Sequence, residues 1–301
     1  MKLLITGAWK CSFEQLNVLR AMGHEIVFLQ NETDALPCPY EGVEGVICNG
    51  LFLYHDIKKF SSLRFVQLTS AGFDRMPTEY AKAHGIAVYN ARGVYSVPMA
   101  EFALCGVLQL YKHSKFFMQG QTTKRWEKHR GLLELFAKNV CIVGCGSVGN
   151  ECAKRFAVFG CKVSGVDLFP REDGLYTEMV GLNALDSALA KADIVVLTLP
   201  LTEETRGLIS AKRLACMKKG SVLVNIARGA IVDEQALCEA LKEKLFGAVL
   251  DVFEEEPLAT NSPLWDMENV ILTPHNSFVG EGNGERLFAL IKENLLIGGK
   301  T

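Results

Sequence analysis

VCIVGCGSVGNECAKRFAVFGCKVSGVD, running from Val140 to Asp167, reads as strand, turn, helix and strand in succession. Val140–Val143 is a short apolar, β-branched run, as expected of a strand buried on both faces. Gly144, Gly146 and Gly149 follow in G-x-G-x-x-G spacing, and Ser147 and Val148 open a helix that continues to about Phe159. A second strand, Lys162–Val166, ends at Asp167. The first glycine allows the tight turn, the second lets backbone approach a pyrophosphate, and the third lets helix pack on strand. The helix N-terminus offers free N–H groups to phosphates. An acid closing the second strand accepts hydrogen bonds from a ribose and repels a 2′-phosphate. A turn that merely needs small residues is the alternative, and the acid argues against it. The pattern predicts a dinucleotide site that favours NAD over NADP, with Arg171 as the residue that could blur that preference.

Outward from this stretch, the chain alternates short apolar strands with amphipathic helices, the pattern of an α/β fold built on parallel sheets. Lys2–Thr6, Glu25–Leu29, Val46–Cys48, Phe65–Leu68 and Ile86–Tyr89 read as strands before the motif, and Ser12 with Gln15 as a capping box for a helix to about Met22. The segment 90–98 breaks the composition and marks a domain boundary. Pro98 suits the first turn of a long buried helix, Met99 to about Phe117, in which Glu101 reads as a first-turn carboxylate favoured by the helix dipole. The polar, basic run from Gln121 to Arg130, with Trp126 in its middle, is a solvated arm or an arm for another subunit. Beyond the motif, strands are predicted at Ile194–Leu199, Ser221–Asn225, Ala248–Leu250 and Val270–Leu272, with helices over Asp233–Lys244 and Glu285–Leu296. The glycine-rich run from Ser277 to Asn283 is the second crossover.

Bulk composition narrows the class. The 301 residues suffice for two domains, and 49% apolar content with a formal net charge of −2 fits a soluble enzyme. A general nucleic-acid binder would carry a basic excess. Ten cysteines show no paired spacing for disulfides or zinc, and most, including Cys48, Cys105, Cys141, Cys152 and Cys161, sit in apolar runs as small hydrophobes. Free thiols in such number point to a reducing cytoplasm. The N-terminus, MKLLITGAWK, lacks signal-peptide length, and no stretch is long and apolar enough for a membrane span.

Three positions in the second half stand where strands end. Arg228 follows Val224-Asn-Ile-Ala, Glu256 follows Leu250-Asp-Val-Phe-Glu-Glu, and His275 follows Leu272-Thr-Pro. In a doubly wound sheet these ends share an edge with the phosphate turn. Singly, each has a plain reading as surface arginine, solvated acid or loop histidine. Together they would serve hydride transfer at a carbonyl. A guanidinium holds a carboxylate and polarises the adjacent carbonyl, an imidazole exchanges a proton with its oxygen, and the acid orients the ring. In the first half, Ser70, Ala71 and Gly72 lie in a loop after a buried strand, where small residues expose N–H groups to a carboxylate. Asn49 and Gly50 could contribute likewise. Phe52, Tyr54 and Tyr95 are candidates for lining a side-chain pocket.

At these residues the chain resembles the D-isomer-specific 2-hydroxyacid dehydrogenases. The similarity lies in LPLTEETRGLI from Leu199, NIARGAIVD from Asn225, LDVFEEEPL from Leu250, Pro274-His-Asn276, Ser70-Ala-Gly-Phe-Asp74, the glycine motif and Asn90 to Glu101. It departs at Phe136-Ala-Lys138, where a glycine commonly precedes the lysine. The resemblance implies Arg228, Glu256 and His275 as catalytic residues. It implies cofactor contacts from the glycine turn, Leu199, Pro200, Thr205, Ala227 and Asp251, and substrate contacts from Ser70, Ala71, Gly72, Arg228 and His275, with no metal. It implies two Rossmann-like, doubly wound parallel-sheet domains. Residues 1–97 with 277–301 would form a discontinuous, flavodoxin-like substrate domain, and 98–276 the NAD-binding domain. A homodimer through the NAD-binding domain is expected, and a regulatory extension of the kind some phosphoglycerate dehydrogenases carry is not. The function expected is NAD-linked interconversion of a small 2-hydroxy acid and its 2-oxo acid. The rival is an NAD(H)-sensing, corepressor-like protein on the same scaffold. A formate dehydrogenase-like enzyme should have glutamine in place of Glu256, and a Rossmann methyltransferase would leave all three strand-end residues unemployed.

Overall fold

A computed structural model describes residues 1–298, which divide into two compact units. The split unit comprises Met1–Tyr95 and the described residues from Gly280 onward, and the central unit Ser96–Val279. The split unit opens with β1 (Lys2–Thr6), α1 (Phe13–Ala21), β2 (Glu25–Leu29), β3 (Gly45–Cys48), β4 (Phe65–Leu68), α2 (Thr78–Ala83) and β5 (Ala87–Tyr89). The central unit contains α3 (Ser96–Tyr111), α4 (Ser114–Thr122), β6 (Asn139–Val143), α5 (Ser147–Val158), β7 (Lys162–Val166), β8 (Met179–Val180), α6 (Leu185–Lys191), β9 (Ile194–Leu197), α7 (Ala211–Cys216), β10 (Val222–Asn225), α8 (Glu234–Glu243), β11 (Gly247–Leu250) and β12 (Val270–Leu272). The chain then re-enters the split unit as α9 (Asn283–Gly298).

The split unit is a parallel sheet in the order β2-β1-β3-β4-β5, the flavodoxin-like winding. Alternation along each strand sends Leu3, Ile5, Ile47 and Phe65 to one core, which Leu287, Phe288, Ile291 and Leu295 of α9 close. Leu4, Val46, Cys48, Val66 and Leu68 form the core on the opposite face. α9 is also held by polar contacts, Asn294 Nδ2 donating to Gln67 Oε1 at 2.7 Å and Gln15 Nε2 to Glu285 Oε1 at 3.0 Å. Gln15 and Ser12 make the reciprocal capping box of α1.

The central unit is a parallel sheet in the order β12-β11-β10-β9-β6-β7-β8. From β6 the winding runs one way through β7 and β8, then returns to build outward from β9. The reversal lies between β6 and β9, where a doubly wound sheet opens a ligand crevice at its C-terminal ends. Val140, Ile142, Ile194, Val196, Val222, Val224 and Val249 point to one core, and Cys141, Val143, Val195, Leu197, Leu223 and Leu250 to the other. Both faces are covered, as a parallel sheet requires. α3 lies against β11 at Gly106, where a Cβ would come within 2.4 Å of Val249 Cγ1.

Some expectations need correcting. The helix expected over Met99 to Phe117 begins at Ser96 and breaks after Tyr111, because His113 takes a left-handed conformation (φ 48°) and stacks on His129 at 4.0 Å. Pro98 remains in the first turn, but Glu101 lies beyond it and pairs with Arg155 at 3.0 Å instead of facing the helix N-terminus. Cys105 is exposed and Cys161 half-buried, whereas Cys48, Cys141 and Cys152 are buried. All ten thiols are free, and burial pushes those of Cys141 and Cys152 up to about 12. Among the described residues no helix is long and apolar enough to cross a membrane.

Candidate active site

The glycine turn joins β6 to α5. Gly144 has φ +101°, which favours glycine, and a Cβ there would meet Leu199 N at 2.6 Å. Gly149 packs the helix against the turn so closely that a Cβ would lie 2.1 Å from Gly144 O. Gly146 caps α5 with no side-chain hydrogen bond, and a Cβ there would meet nothing within 4 Å. Space is therefore left open in front of the first helical amides. The Asp167 carboxylate accepts from Cys145 N at 2.7 Å and Phe169 N at 3.0 Å. Arg171 Nη2 grips the same residue from its other side, donating to Cys145 O at 2.8 Å.

Leu199 walls the turn with backbone, its N and Cα lying 2.6 and 2.8 Å from where a Cβ on Gly144 would stand. Thr205 is buried, and its hydroxyl accepts from Thr202 N at 2.7 Å and donates to Pro200 O at 2.8 Å, so it shapes the loop from within. Thr198, which sequence reasoning passed over, donates its hydroxyl to Gly144 O at 2.6 Å and braces the turn.

Arg228, Glu256 and His275 follow β10, β11 and β12, adjacent strands on which Asn225 registers with Leu250 and Leu250 with Leu272. Asn225 directs the first loop, accepting from Ala227 N at 3.1 Å and donating to Arg228 O at 3.0 Å. The exposed Arg228 donates through Nη1 to Ala227 O at 2.7 Å and, among the described residues, pairs with no acid. Gly229 brings this loop onto the next, for a Cβ there would lie 1.8 Å from Phe253 C. Glu256 Oε1 accepts from Phe253 N at 3.1 Å, and its Oε2 lies 2.8 Å from His275 Nδ1. A carboxylate can only accept, so this contact selects the Nδ1–H tautomer and leaves Nε2 for exchange.

Asp251 sets the histidine loop. Its fully buried carboxylate accepts from Thr273 Oγ1 at 2.6 Å, Asn276 N at 2.8 Å and Ser277 N at 2.9 Å, and its carbonyl accepts from His275 N at 2.8 Å. Asp251 thus acts on the site through the loop it braces.

In the split unit, Ser70, Ala71 and Gly72 follow β4 with Ala71 exposed and the other two half-buried. The neighbouring amides of Asn49 and Gly50 are not free, since both donate to the Glu32 carboxylate, at 2.6 and 2.7 Å. Of the aromatics, Phe52 packs on Phe60, Tyr54 is exposed, and the Tyr95 hydroxyl donates to Thr69 O.

Residues 104–277 match the NAD binding domain of the D-isomer specific 2-hydroxyacid dehydrogenases. The chain belongs to this family. It is 35% identical over 243 residues to the (S)-sulfolactate dehydrogenase of Chromohalobacter salexigens, covering 79% of this chain and 78% of that protein. It is 38% identical over 246 residues to the glyoxylate reductase of Thermofilum pendens, covering 78% and 71%. A D-isomer specific 2-hydroxyacid dehydrogenase from Xanthobacter autotrophicus Py2, solved in complex with NADPH and MES, superposes with a TM-score of 0.81 at 30% identity, over 99% of this chain and 95% of that one. Oxidoreductase chemistry of the 2-hydroxyacid, NAD-linked kind is therefore supported for this chain. The turn fits such a dinucleotide: an uncapped helix N-terminus faces open space at Gly146, and a fixed carboxylate stands at the end of β7.

Proposed function

We propose that the chain interconverts a small D-2-hydroxy acid and its 2-oxo acid with NAD(H). The paired His275 and Glu256, in the loops after β12 and β11, beside the loop after β10 that carries an Arg228 paired with no acid among the described residues, are the observation that carries this reading. Cofactor contacts would come from Gly144, Gly146, Ser147, Val148 and Gly149 at the diphosphate and Asp167 at the ribose, with Leu199, Pro200, Thr205, Ala227 and Asp251 shaping the rest. Asp167 supports NAD over NADP. A bound nicotinamide supplies or accepts the hydride.

The chain's own residues would manage charge and proton. Arg228 offers a forked, permanent cation to a carboxylate and its adjacent carbonyl. A doubly protonated His275 would give its Nε2 proton to the carbonyl oxygen during reduction, leaving the Nδ1–H tautomer, whose bare Nε2 would take a proton back in oxidation. Glu256 holds Nδ1 and keeps the ring aimed. Ser70, Ala71 and Gly72 are the proposed carboxylate-binding residues of the split unit, which would be the substrate domain, with the central unit as the cofactor domain. We further propose a cytoplasmic homodimer joined through the central unit. Ten free thiols support the compartment, and an arm whose Trp126 is 99% exposed supports the association.

The test is NADH oxidation with glyoxylate, hydroxypyruvate, pyruvate and branched or aromatic 2-oxo acids. At least one should be reduced to the D-hydroxy acid. A protein that binds NADH yet turns over none of them is not this enzyme. Sedimentation velocity should return twice the chain mass.

A further inference from the structure

β3 and β4 run side by side, with Cys48 registered on Leu68, and the loops that follow them use their amides differently. After β3, Asn49 N and Gly50 N converge on the Glu32 carboxylate, which also accepts from Thr6 Oγ1 at 2.8 Å. The chain fills that nest with a carboxylate of its own. After β4, four successive carbonyls are tied instead. Thr69 O accepts from the Tyr95 hydroxyl, Ser70 O from Ala91 N at 2.8 Å, Ala71 O from Asn90 Nδ2 at 2.6 Å, and Gly72 O from Ser70 Oγ at 3.0 Å.

A trans peptide points its N–H opposite its C=O, so tying the carbonyls of residues 69–72 also sets the N–H groups of residues 70–73. None of those four N–H groups donates to a protein acceptor among the described residues. The loop presents donors with its acceptors withdrawn, a surface for an anion and a poor one for a carboxamide, whose N–H groups would find no acceptor there. Asn90 has no freedom to flip its amide without loss. Its Oδ1 already accepts from Arg92 N at 3.2 Å, which leaves Nδ2 for the Ala71 carbonyl.

We propose that Asn90, assisted by Tyr95, is a positioning residue that pre-sets the Ser70–Phe73 amides as a donor-only nest and makes the protein select carboxylates over the matching neutral carboxamides. This rests on the 2-oxo acid reading above. The Asn90 amide hydrogen-bonds to backbone atoms, Ala71 O and Arg92 N, and takes no part in bond making.

Two variants of the full chain test it. Asn90→Asp keeps the shape and the acceptor for Arg92 N but removes the donor to Ala71 O. Tyr95→Phe removes the hydroxyl that donates to Thr69 O and serves if Asn90→Asp folds poorly. Oxamate and its neutral counterpart oxamide are titrated into NADH-loaded protein by calorimetry, alongside KM for the best 2-oxo acid and for NADH. Asn90→Asp should weaken oxamate and raise the 2-oxo acid KM about tenfold, and Tyr95→Phe about threefold. The KM for NADH and the melting temperature should stay near wild type, and oxamide binding should not weaken with oxamate. Unchanged oxamate affinity in both variants, or an equal loss for NADH, overturns the role. Weakened oxamate binding in a protein that reduces no 2-oxo acid would uphold the nest and remove the reductase reading. Wild-type protein that neither binds oxamate nor turns over removes both.

Discussion

His275 owes its chemistry to a backbone forced into a left-handed turn, φ 49°, by its own N–H reaching the Asp251 carbonyl and by the Asp251 carboxylate beneath. The ring is thereby brought to Glu256 through Nδ1, which leaves Nε2 for the proposed proton exchange. His275→Gln should lower kcat by about 100–10,000-fold, the usual worth of a general acid–base group. Steady-state rates within a few-fold of wild type would remove His275 from the mechanism. Gly229→Ala tests the neighbouring loop. Its Cβ would lie 1.8 Å from Phe253 C and 2.3 Å from Glu254 N, both backbone atoms, so one loop must move. An overpacking cost of about 1–3 kcal/mol in urea unfolding, with a loss of turnover larger than that cost explains, is expected. Arg228, Glu256 and His275 were legible because each lies in the loop that follows an apolar strand. Asn225, Thr198 and Asn90 were not, for a polar residue at a strand end signals a turn without saying which carbonyl it will reach.

Packing of α3 on β11 is decided by a small residue. Gly106→Ala would bring Cβ within 2.4 Å of Val249 Cγ1 and 2.8 Å of Cγ2, at a cost of about 1–3 kcal/mol. Val249→Ala in the same chain should recover part of it, and a double-mutant cycle that shows no coupling contradicts the contact. The base of the same sheet is fastened by Asp193, which accepts from Asn139 N at 2.9 Å at the start of β6 and from Lys218 Nζ at 2.6 Å. Burial works against its charge, but the Lys218 ammonium and the Asn139 amide outweigh burial and hold the carboxyl below its ordinary value. A folded value below the unfolded one means the stabilisation is complete above the unfolded carboxylate range and is lost as pH falls through the folded value. Asp193→Asn should therefore be less stable than wild type at pH 7, and the gap should close as the pH drops below about 4. A gap constant with pH would assign the effect to shape instead of charge. Element positions were readable from periodicity, whereas the break at His113 was not. It depends on His129 and Phe246, far along the chain from the helix it ends.

At the scale of the molecule, the dinucleotide seat is a property of the central unit, so its occupation is a stability measurement as well as a functional one. NADH at about a hundred times its dissociation constant should stabilise the protein by roughly 2.7 kcal/mol, seen as a rise in melting temperature. NADPH at the same concentration should give less, because the Asp167 carboxylate proposed for the ribose would repel a 2′-phosphate. No shift with either removes the seat. By itself the sequence determined two parallel α/β sheets, the glycine turn and three strand-end residues. Hydrophobic period and turn chemistry are local properties, written within a few residues of where they act. Only the tertiary structure decided how those residues are held: Asn90 reaches the Ala71 carbonyl across 19 residues, Tyr95 the Thr69 carbonyl across 26, and Asn294 the buried Gln67 across 227. Such bonds depend on which strands become neighbours, and a single hydrogen-bonding side chain leaves no periodic trace in the chain that carries it.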